Sequence, residues 1–280
     1  MPDDLQDGAQ AGFDDSGRRD ESAKGGRSPV LLEARGVSKR YGGLQALTRV
    51  SLAVGGSESV GLVGPNGAGK TTLFNCICGT EVPDGGSIWM DGRRIDGMDP
   101  FRRARLGLGR TYQRIEVFPE LSVREHVLVA ERARRGDGRL WKDLLNRGAP
   151  TEAEMATADA VLELVGLSES ANAPVAALSL GTCRLVELAR ALVRRPRILL
   201  ADEPSSGLDV YETRTLGSVL RRVQREQGMA VLLVEHDLRM VAQVVDRVVV
   251  LDFGRQVAEG PLGEVMADPA VRSAYLGKSA

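Results

Sequence analysis

Continuous apolar runs alternate with segments of helical periodicity in the C-terminal half of the chain. The runs read RILLAD (197–202), AVLLVEHD (230–237) and RVVVLDFG (247–254), and a helical pattern lies between each pair. Strands that are apolar on both faces and alternate with helices are typical of a parallel sheet covered on both sides. The pattern therefore predicts an α/β fold built on a mainly parallel sheet.

The N-terminal part of the chain is predicted to be rich in strands. Short strands are expected in VLLEARGVSKRY (30–41), ALTRVSLAV (46–54) and SVGLVG (59–64). The segment GSIWMDGRRI (86–95) alternates apolar and polar residues around Asp91-Gly92, which predicts two strands joined by a turn.

Residues from about 120 to 177 have a mostly helical pattern, interrupted by Gly, Pro and Arg around 134 to 150, which indicates an inserted helical subdomain. The next segment, LSLGTCRLVELARAL (178–192), is predicted to be a helix that Ser179 caps and that carries Leu185, Leu188 and Leu192 on one face. We place the helical subdomain at about 120–195.

Residues 1–28 are rich in Asp, Gly, Arg and Ser, and Leu5 and Phe13 are nearly their only apolar side chains. Such a segment buries too little apolar surface to offset the entropy cost of ordering it. We therefore predict a disordered tail at 1–28 and an ordered domain at 29–277. No run approaches the ~18 apolar residues of a membrane span and the start does not resemble a signal peptide, so a cytosolic, non-spanning chain is expected.

The 37 basic and 38 acidic residues nearly cancel, which argues against a chain that wraps nucleic acid. Arg-rich stretches such as RRARLGLGR (102–110) are accordingly interpreted as solvated helix faces. His126 is expected on an ordinary helix surface. The three cysteines match neither a disulfide framework nor a zinc site and are predicted to be buried structural thiols: Cys76, Cys78 and Cys183.

The segment GPNGAGKT (64–71) has the pattern G-x-x-x-x-G-K-[ST] and lies between a predicted strand and a predicted helix. Glycines at these positions allow backbone N–H groups to point at phosphate oxygens. Lys70 would place its charge on the β- and γ-phosphates, and the Thr71 hydroxyl would ligate Mg²⁺. A nucleoside triphosphate is therefore expected to bind here.

Candidate catalytic groups follow the predicted strands. Asp202 would hold Mg²⁺ through water, and Glu203 beside it is placed to accept a proton from an attacking water. This acid pair suggests hydrolysis rather than binding alone. His236 lies just after another strand, where ligands of α/β sheets bind, and Gln113 in TYQ (111–113) would reach the metal or the attacking water.

From Val30 to the C-terminus, the chain resembles the ATP-binding subunits of ABC transporters. The resemblance implies an α/β P-loop NTPase fold with a mainly parallel core sheet, an antiparallel β subdomain and an inserted α-helical subdomain. It also implies hydrolysis of ATP, with ATP and Mg²⁺ as cofactors. The motifs that carry it occur in a fixed order: the P-loop, Gln113, Ser179-Leu180-Gly181, Asp202-Glu203, SSGLD (205–209) and His236.

Three further segments are similar to the ATPase subunits of branched-chain amino-acid importers. They are YGGLQAL (41–47), GLGRTYQRIEVFPELSVREHVLVA (107–130) with the long insertion after it, and the ending AYLG (274–277). The resemblance therefore implies an importer subunit for branched-chain amino acids.

The resemblance assigns roles to individual residues. Glu203 is the catalytic base, His236 is the switch residue that contacts the γ-phosphate, and Gln113 contacts Mg²⁺ and the membrane subunit. The metal ligands are Thr71, Gln113 and Asp202. The nucleotide-binding residues are Tyr41, which stacks on adenine, the P-loop residues Gly64, Pro65, Asn66, Gly67, Ala68, Gly69, Lys70, Thr71 and Thr72, the signature residues Ser179 and Gly181, and the D-loop acid Asp209.

The signature motif departs from the usual Leu-Ser-Gly-Gly-Gln of the family. Ser179 and Gly181 are retained, whereas Leu180 and Thr182 replace the first Gly and the Gln. Members of the importer group often carry a bulky residue in place of that first Gly; Thr182 and Cys183 are less expected. Because the P-loop already forms one phosphate site, the N-terminus of this helix is interpreted as a second anion site, for ATP bound by a partner subunit.

The partners implied by the resemblance are membrane-spanning permease subunits, a second ATPase subunit (a copy or a paralogue), and indirectly a periplasmic or extracellular substrate-binding protein, with no nucleic acid. The chain would lie peripherally on the cytoplasmic face of the cell membrane. An alternative is the same ATPase with another cargo, in urea or amide import or in lipid or lipopolysaccharide export, since an ATPase subunit does not touch the cargo. A soluble ABC ATPase acting on nucleic acid or ribosomes is the remaining alternative, which the single P-loop and the lack of heptads disfavour.

Overall fold

The computed structural model describes residues 29–111, 118–135 and 149–276. Three predicted features lie outside the described residues: the tail at 1–28, the candidate site residue Gln113, and Gly277, the last residue of the predicted domain.

Ten strands and nine α-helices are described in these ranges. The strands are β1 (Val30–Tyr41), β2 (Leu44–Gly55), β3 (Ser59–Val63), β4 (Gly85–Met90), β5 (Arg93–Arg94), β6 (Leu108–Arg110), β7 (Ile198–Asp202), β8 (Ala230–Val234), β9 (Arg247–Asp252) and β10 (Arg255–Gly260). The helices are α1 (Lys70–Cys78), α2 (Pro100–Arg105), α3 (Val123–Arg135), α4 (Glu152–Val165), α5 (Leu180–Leu192), α6 (Val210–Gln227), α7 (Leu238–Val244), α8 (Leu262–Ala267) and α9 (Pro269–Leu276).

A four-stranded antiparallel sheet has the strand order β2-β1-β4-β5. The predicted pair of strands around Asp91-Gly92 is present, because β4 and β5 pair antiparallel with Met90 opposite Arg93. Asp91 and Gly92 have φ angles of 50° and 71°. Two consecutive left-handed residues match the twist of the flanking strands, which is why an Asp-Gly pair makes this turn.

The central sheet has the order β10-β9-β3-β8-β7-β6 and is parallel except at its β9–β10 edge. Alternate residues of β7 contribute to different cores: Ile198 and Leu200 pack with the antiparallel sheet and α1, whereas Leu199 and Ala201 pack against the helices of the other face. This explains the continuous apolar runs, since both faces of each inner strand are buried. The predicted α/β fold is confirmed.

The described helices between β6 and β7 enclose their own apolar cluster. Val127 of α3, Leu162 of α4 and Val186 of α5 are fully buried together, and the cluster continues onto β7 and β8. Helix α5 begins as predicted, because the Ser179 Oγ accepts a hydrogen bond from the N–H of Thr182 at 3.2 Å.

The interpretation of 102–110 as a solvated face was wrong for Arg103. This side chain is completely buried, and its guanidinium donates to the carbonyl oxygens of Cys76, Ile77, Met98 and Asp96 at 2.6–3.1 Å. Two of these carbonyls belong to the last turn of α1, where a helix leaves its carbonyl groups unpaired and favours a positive charge. Arg103 therefore caps the helix that begins in the P-loop.

The prediction that His126 lies on an ordinary helix surface was also wrong. Its side chain is buried, and its Nε2 accepts a hydrogen bond from the N–H of Phe118 at 2.9 Å. Its Nδ1 lies 2.9 Å from the backbone carbonyl oxygen of Ser122, which can only accept a hydrogen bond. Nδ1 therefore carries the proton of a neutral ring. Burial lowers the pKa of His126 below its usual value. The three cysteines are buried, as predicted.

Candidate nucleotide-binding site

The loop of residues 64–69 joins β3 to α1 and requires glycine at two positions. Gly64 has φ 145°, and a Cβ there would lie 2.1 Å from the Leu251 oxygen. Gly69 has φ 100° and is the N-cap of α1 with no side-chain hydrogen bond to the helix. The N-terminal N–H groups of α1 therefore face the loop without a side-chain cap, which is the arrangement that binds phosphate.

Lys70 is folded back into this loop. Its Nζ donates to the Gly64 oxygen at 2.7 Å and to the Pro65 oxygen at 3.0 Å, and its side chain is 5 % exposed. Burial lowers the pKa of Lys70, while the charges of Glu203 and Asp202 act in the opposite direction. The loop thus holds an ammonium group inside the concave surface that phosphates would enter.

Two carboxylates face Lys70 from the end of β7. Asp202 is buried, and its pKa is raised, first by burial and then by the charge of Glu203. Glu203 has φ 44°, a left-handed conformation that costs a non-glycine residue about 1 kcal/mol. Its N–H donates to the Val234 oxygen at 2.9 Å, so the strained residue is tied to the neighbouring strand. Strain of this kind concentrates at functional sites.

A cleft of about 360 Å³ opens over this loop. It brings together predicted site residues from three parts of the chain, namely Tyr41, the loop and helix residues 66–72, and Glu203, although grooves of about 510 and 630 Å³ lie elsewhere on the surface. We assign the chemistry to the smaller cleft because a carboxylate, Glu203, and an ammonium group, Lys70, line it together. Its lining consists of Tyr41, Leu44, Gln45, Ala46, the loop and helix residues 66–72, Glu203, Phe253 and Gly254.

Tyr41 stands at the rim of the cleft with a partly exposed ring. The Lys39 ammonium lies 5.4 Å from the ring centroid, within cation–π distance. Phe253, which is 85 % exposed, lines the same cleft and was not singled out from the sequence.

The oxygen groups near Lys70 suit a hard divalent cation. Thr71 offers an exposed hydroxyl, and Asp202 offers a carboxylate whose raised pKa reflects burial beside other negative charges, which a cation would relieve. Among the described residues no group of three or more His, Cys, Asp or Glu side chains could hold a metal ion alone. A metal ion here would therefore share its coordination with phosphate oxygens and water.

The signature residues form a separate structure at the N-terminus of α5. Ser179, Gly181 and Asp209 are absent from the described lining of the cleft. The Gly181 N–H donates to Glu212 Oε1 at 3.1 Å, and a Cβ on Gly181 would lie 2.8 Å from that oxygen. Gly181 is therefore needed for contact with Glu212, in addition to any contact with phosphate.

The atypical signature residues have defined partners. A Cβ on Gly207 would lie 3.0 Å from the Leu180 side chain, so Leu180 packs over the loop of residues 205–209. The Thr182 hydroxyl lies 3.2 Å from Ser179 Oγ, and the Thr182 N–H donates to the same atom. Thr182 thus takes part in the cap of α5, whereas Leu180 lies against the loop of residues 205–209.

Two glutamates of the site were missed by sequence reasoning. Glu212 and Asp209 form a reciprocal cap at the start of α6, and Glu212 also reaches Gly181. Asp-x-x-Glu is a capping-box pattern, so the sequence contained that signal. Glu235 is completely buried beside His236, which is itself exposed, and no local pattern identified it.

None of the helices in the part of the chain that the structure describes has the length and apolar character required to traverse a membrane. Residues 47–206 match the family model described as ABC transporter, and residues 255–280 match one described as branched-chain amino acid ATP-binding cassette transporter.

Characterised relatives match over most of the chain. The high-affinity branched-chain amino acid transport ATP-binding protein LivG of Salmonella typhimurium is 38% identical, and BraF of Pseudomonas aeruginosa, which has the same description, is 39% identical. Each match covers 90% of this chain and 100% of the relative.

Solved structures match as well. The ADP conformation of an ATP-binding cassette of an ABC transporter has a TM-score of 0.79 and 29% identity, covering 90% of this chain and 100% of that one. A dimeric post-hydrolysis state of another ATP-binding cassette, bound to ADP and Pi, has a TM-score of 0.68 and 27% identity, covering 83% and 99%. The family match and the similarity to these relatives show that the chain belongs to the ABC transporter family, as an ATP-binding subunit that hydrolyses ATP.

Proposed function

We propose that this chain is the ATPase subunit of an importer of branched-chain amino acids, acting as one of a pair on permease subunits at the cytoplasmic face of the membrane. A substrate-binding protein on the other side would deliver the amino acid. The cargo assignment rests on the names of the relatives and on the match at the C-terminal end.

One observation carries the pairing. The cleft over the P-loop is lined by Lys70 and Glu203, whereas Ser179 and Gly181 lie outside its described lining. A helix N-terminus is an anion site, yet the phosphates bound by the same chain would occupy the P-loop. The signature helix of a second subunit would complete the ATP site.

In the closed pair each side chain would have a distinct task. Tyr41 would stack on adenine, Lys70 would exchange the Gly64 and Pro65 oxygens for the β- and γ-phosphates, and Glu203 would accept a proton from the attacking water. His236 would contact the γ-phosphate, and Asp209 would lie at the interface with the partner.

Magnesium would be held by Thr71, Asp202 and Gln113. The ion would neutralise charge on the phosphates. The role of this chain's residues is then to hold the nucleotide in line with the water and to exclude bulk solvent as the two subunits close.

The permease subunit would dock in the groove of about 510 Å³. Its lining includes Phe101 of α2, Thr111 after β6, Ala130 of α3 and Arg190 of α5, and Phe101 is 58 % exposed. The groove is therefore lined both by helices α3 and α5 and by Thr111, which precedes Gln113 by two residues in sequence. Movement of the permease helix in this groove would therefore follow closure of the ATP site.

ATPase assays of Glu203→Gln and Ser179→Arg test this function. We expect turnover to fall at least tenfold in both, because one variant lacks the base and the other fills the anion site. Near-wild-type turnover in both variants would overturn the mechanism.

A mixing experiment tests the pairing directly. Ser179→Arg has an intact P-loop and Lys70→Ala has an intact signature helix, so a mixed dimer contains one complete site if the two motifs come from different subunits. ATPase activity should reappear on mixing the two inactive proteins, and no recovery would contradict a shared site.

Transport assays test the cargo. The chain should be reconstituted in vesicles together with the permease subunits that co-purify with it from its native membrane, and uptake of leucine, isoleucine and valine should be measured. If none of the three amino acids is taken up, the proposed substrate is wrong.

A further inference from the structure

Glu235 is a carboxylate at the C-terminal end of β8 that the proposed chemistry does not use. Its side chain is completely buried between the loop that follows β7 and the loop that follows β8. Burial of a charged group costs several kcal/mol unless hydrogen bonds replace its hydration. The hydrogen bonds of Glu235 must therefore replace its lost hydration.

Four donors converge on this carboxylate. Oε1 accepts from the N–H and the hydroxyl of Ser205 at 2.9 and 2.6 Å. Oε2 accepts from the N–H groups of His236 and Asp237 at 2.9 and 3.2 Å. A carboxylate has about four lone-pair positions, so its full capacity is used. One oxygen serves each loop, and the carboxylate therefore sets the distance between the two loops.

Both loops carry residues of the ATP site. Ser205 lies two residues after Glu203, and His236 directly follows Glu235 in sequence. Glu203 is also tied to this strand end, because its N–H donates to the Val234 oxygen at 2.9 Å. The end of β8 thus positions the backbone from which both Glu203 and His236 project.

The His236 ring itself is held loosely. Its side chain is 58 % exposed, and its Nδ1 is 3.7 Å from Glu235 Oε2, too far for a hydrogen bond. The position of the ring therefore depends on the backbone from which it projects, and that backbone is bonded to Glu235.

We propose that Glu235 is a positioning residue for ATP hydrolysis, which holds His236 in register with Glu203 by bridging the two loops. This inference rests on the proposed contact of His236 with the γ-phosphate. Glu235 would touch neither nucleotide nor water and would act through the backbone of His236.

Glu235→Gln is the sharpest substitution, because it preserves size and shape. Its amide has one oxygen, and its NH₂ group would face one of the two donor pairs, so one loop would lose its acceptor. Glu131→Gln is the matched control: Glu131 is also completely buried, but it pairs with Arg134 within α3, at 2.7 Å.

Steady-state kcat and KM, binding of a fluorescent ATP analogue and Tm should be measured for Glu235→Gln, His236→Ala, the double variant and Glu131→Gln. We expect Glu235→Gln to lower kcat about tenfold or more with nucleotide Kd within about threefold of wild type, because displacement of a catalytic group affects the reaction more than binding. The double variant should be no slower than His236→Ala. Glu131→Gln should lower Tm without changing kcat.

The inference is overturned if Glu235→Gln keeps kcat within about twofold of wild type, if the two substitutions multiply in the double variant, or if Glu131→Gln lowers kcat equally. If His236→Ala is slow and Glu235→Gln is not, only this inference fails. If His236→Ala retains wild-type kcat, the proposed role of His236 and the positioning role of Glu235 fail together.

Discussion

The backbone N–H of Gly181 donates to Glu212 Oε1 at 3.1 Å and so joins the first turn of α5 to the first turn of α6. Glu212 also accepts from the Asp209 N–H, which makes it a shared cap for the N-termini of α5 and α6. Its replacement by Ala should lower the free energy of unfolding by about 1–2 kcal/mol, since two helix starts lose an acceptor. Urea denaturation followed by circular dichroism measures this loss.

Gly181→Ala tests the same relationship from the other side. A Gly→Ala change inside a helix normally stabilises by about 0.5–1 kcal/mol, but here the new Cβ would lie 2.8 Å from Glu212 Oε1. We expect destabilisation in the wild-type background and a neutral or stabilising effect in the Glu212→Ala background. Equal effects in both backgrounds would show that the contact with Glu212 is not the cause.

Arg103 should be the most sensitive arginine of the 102–110 stretch. Arg103→Met removes the side-chain donor from four carbonyl oxygens, of which those of Cys76 and Ile77 are buried, and should cost about 3 kcal/mol or more of unfolding free energy. Arg102, whose side chain is 73% exposed, is the matched control, and Arg102→Ala should change stability by less than about 0.5 kcal/mol. Chemical denaturation of both variants decides the matter, and equal losses would contradict the capping role.

His126 should make the fold sensitive to acid. Burial lowers the pKa of His126 in the folded state, so between that value and the unfolded value near 6.5 the unfolded chain binds more protons. The stabilising contribution is present above about pH 6.5 and is lost as the pH falls through this window. The measurement is Tm from pH 8 to 5 for the wild type and His126→Asn. The difference between them should shrink on acidification, and a constant difference would contradict a buried neutral ring.

The two free thiols of α1, Cys76 and Cys78, should be unreactive in the folded protein. Burial raises the pKa of Cys76 to about 11 and that of Cys78 to about 12, so the reactive thiolate is scarce at neutral pH. Alkylation by iodoacetamide at pH 7.5, followed by mass spectrometry, should leave both unmodified in the native state and modify both in guanidinium. Rapid native labelling of either thiol would contradict their burial.

Much of the fold was predictable because its signals are local. The runs of β7, β8 and β9 are apolar at every position since both faces of those strands are buried, and Asp91-Gly92 forms a turn that requires two left-handed residues. The P-loop pattern also specifies its own geometry, since Gly64 stands where a Cβ would strike Leu251. Such features need only neighbouring residues, or one face of an element, to be recognised.

The long-range polar contacts were not predictable. Arg102 and Arg103 are neighbouring residues of the same type, yet Arg103 is buried against the end of α1 and Arg102 is exposed. His126 was misplaced for the same reason, because its partner Phe118 lies eight residues away on a preceding segment.

The sequence by itself determined the parallel sheet, the glycine-rich loop between β3 and α1, and the start of α5. Only the tertiary structure decided that Glu212 occupies the Gly181 N–H and that Glu235 bridges Ser205 and His236. Periodicity and turn chemistry are local properties of the chain, whereas the partner of a buried carboxylate depends on which elements the fold brings together.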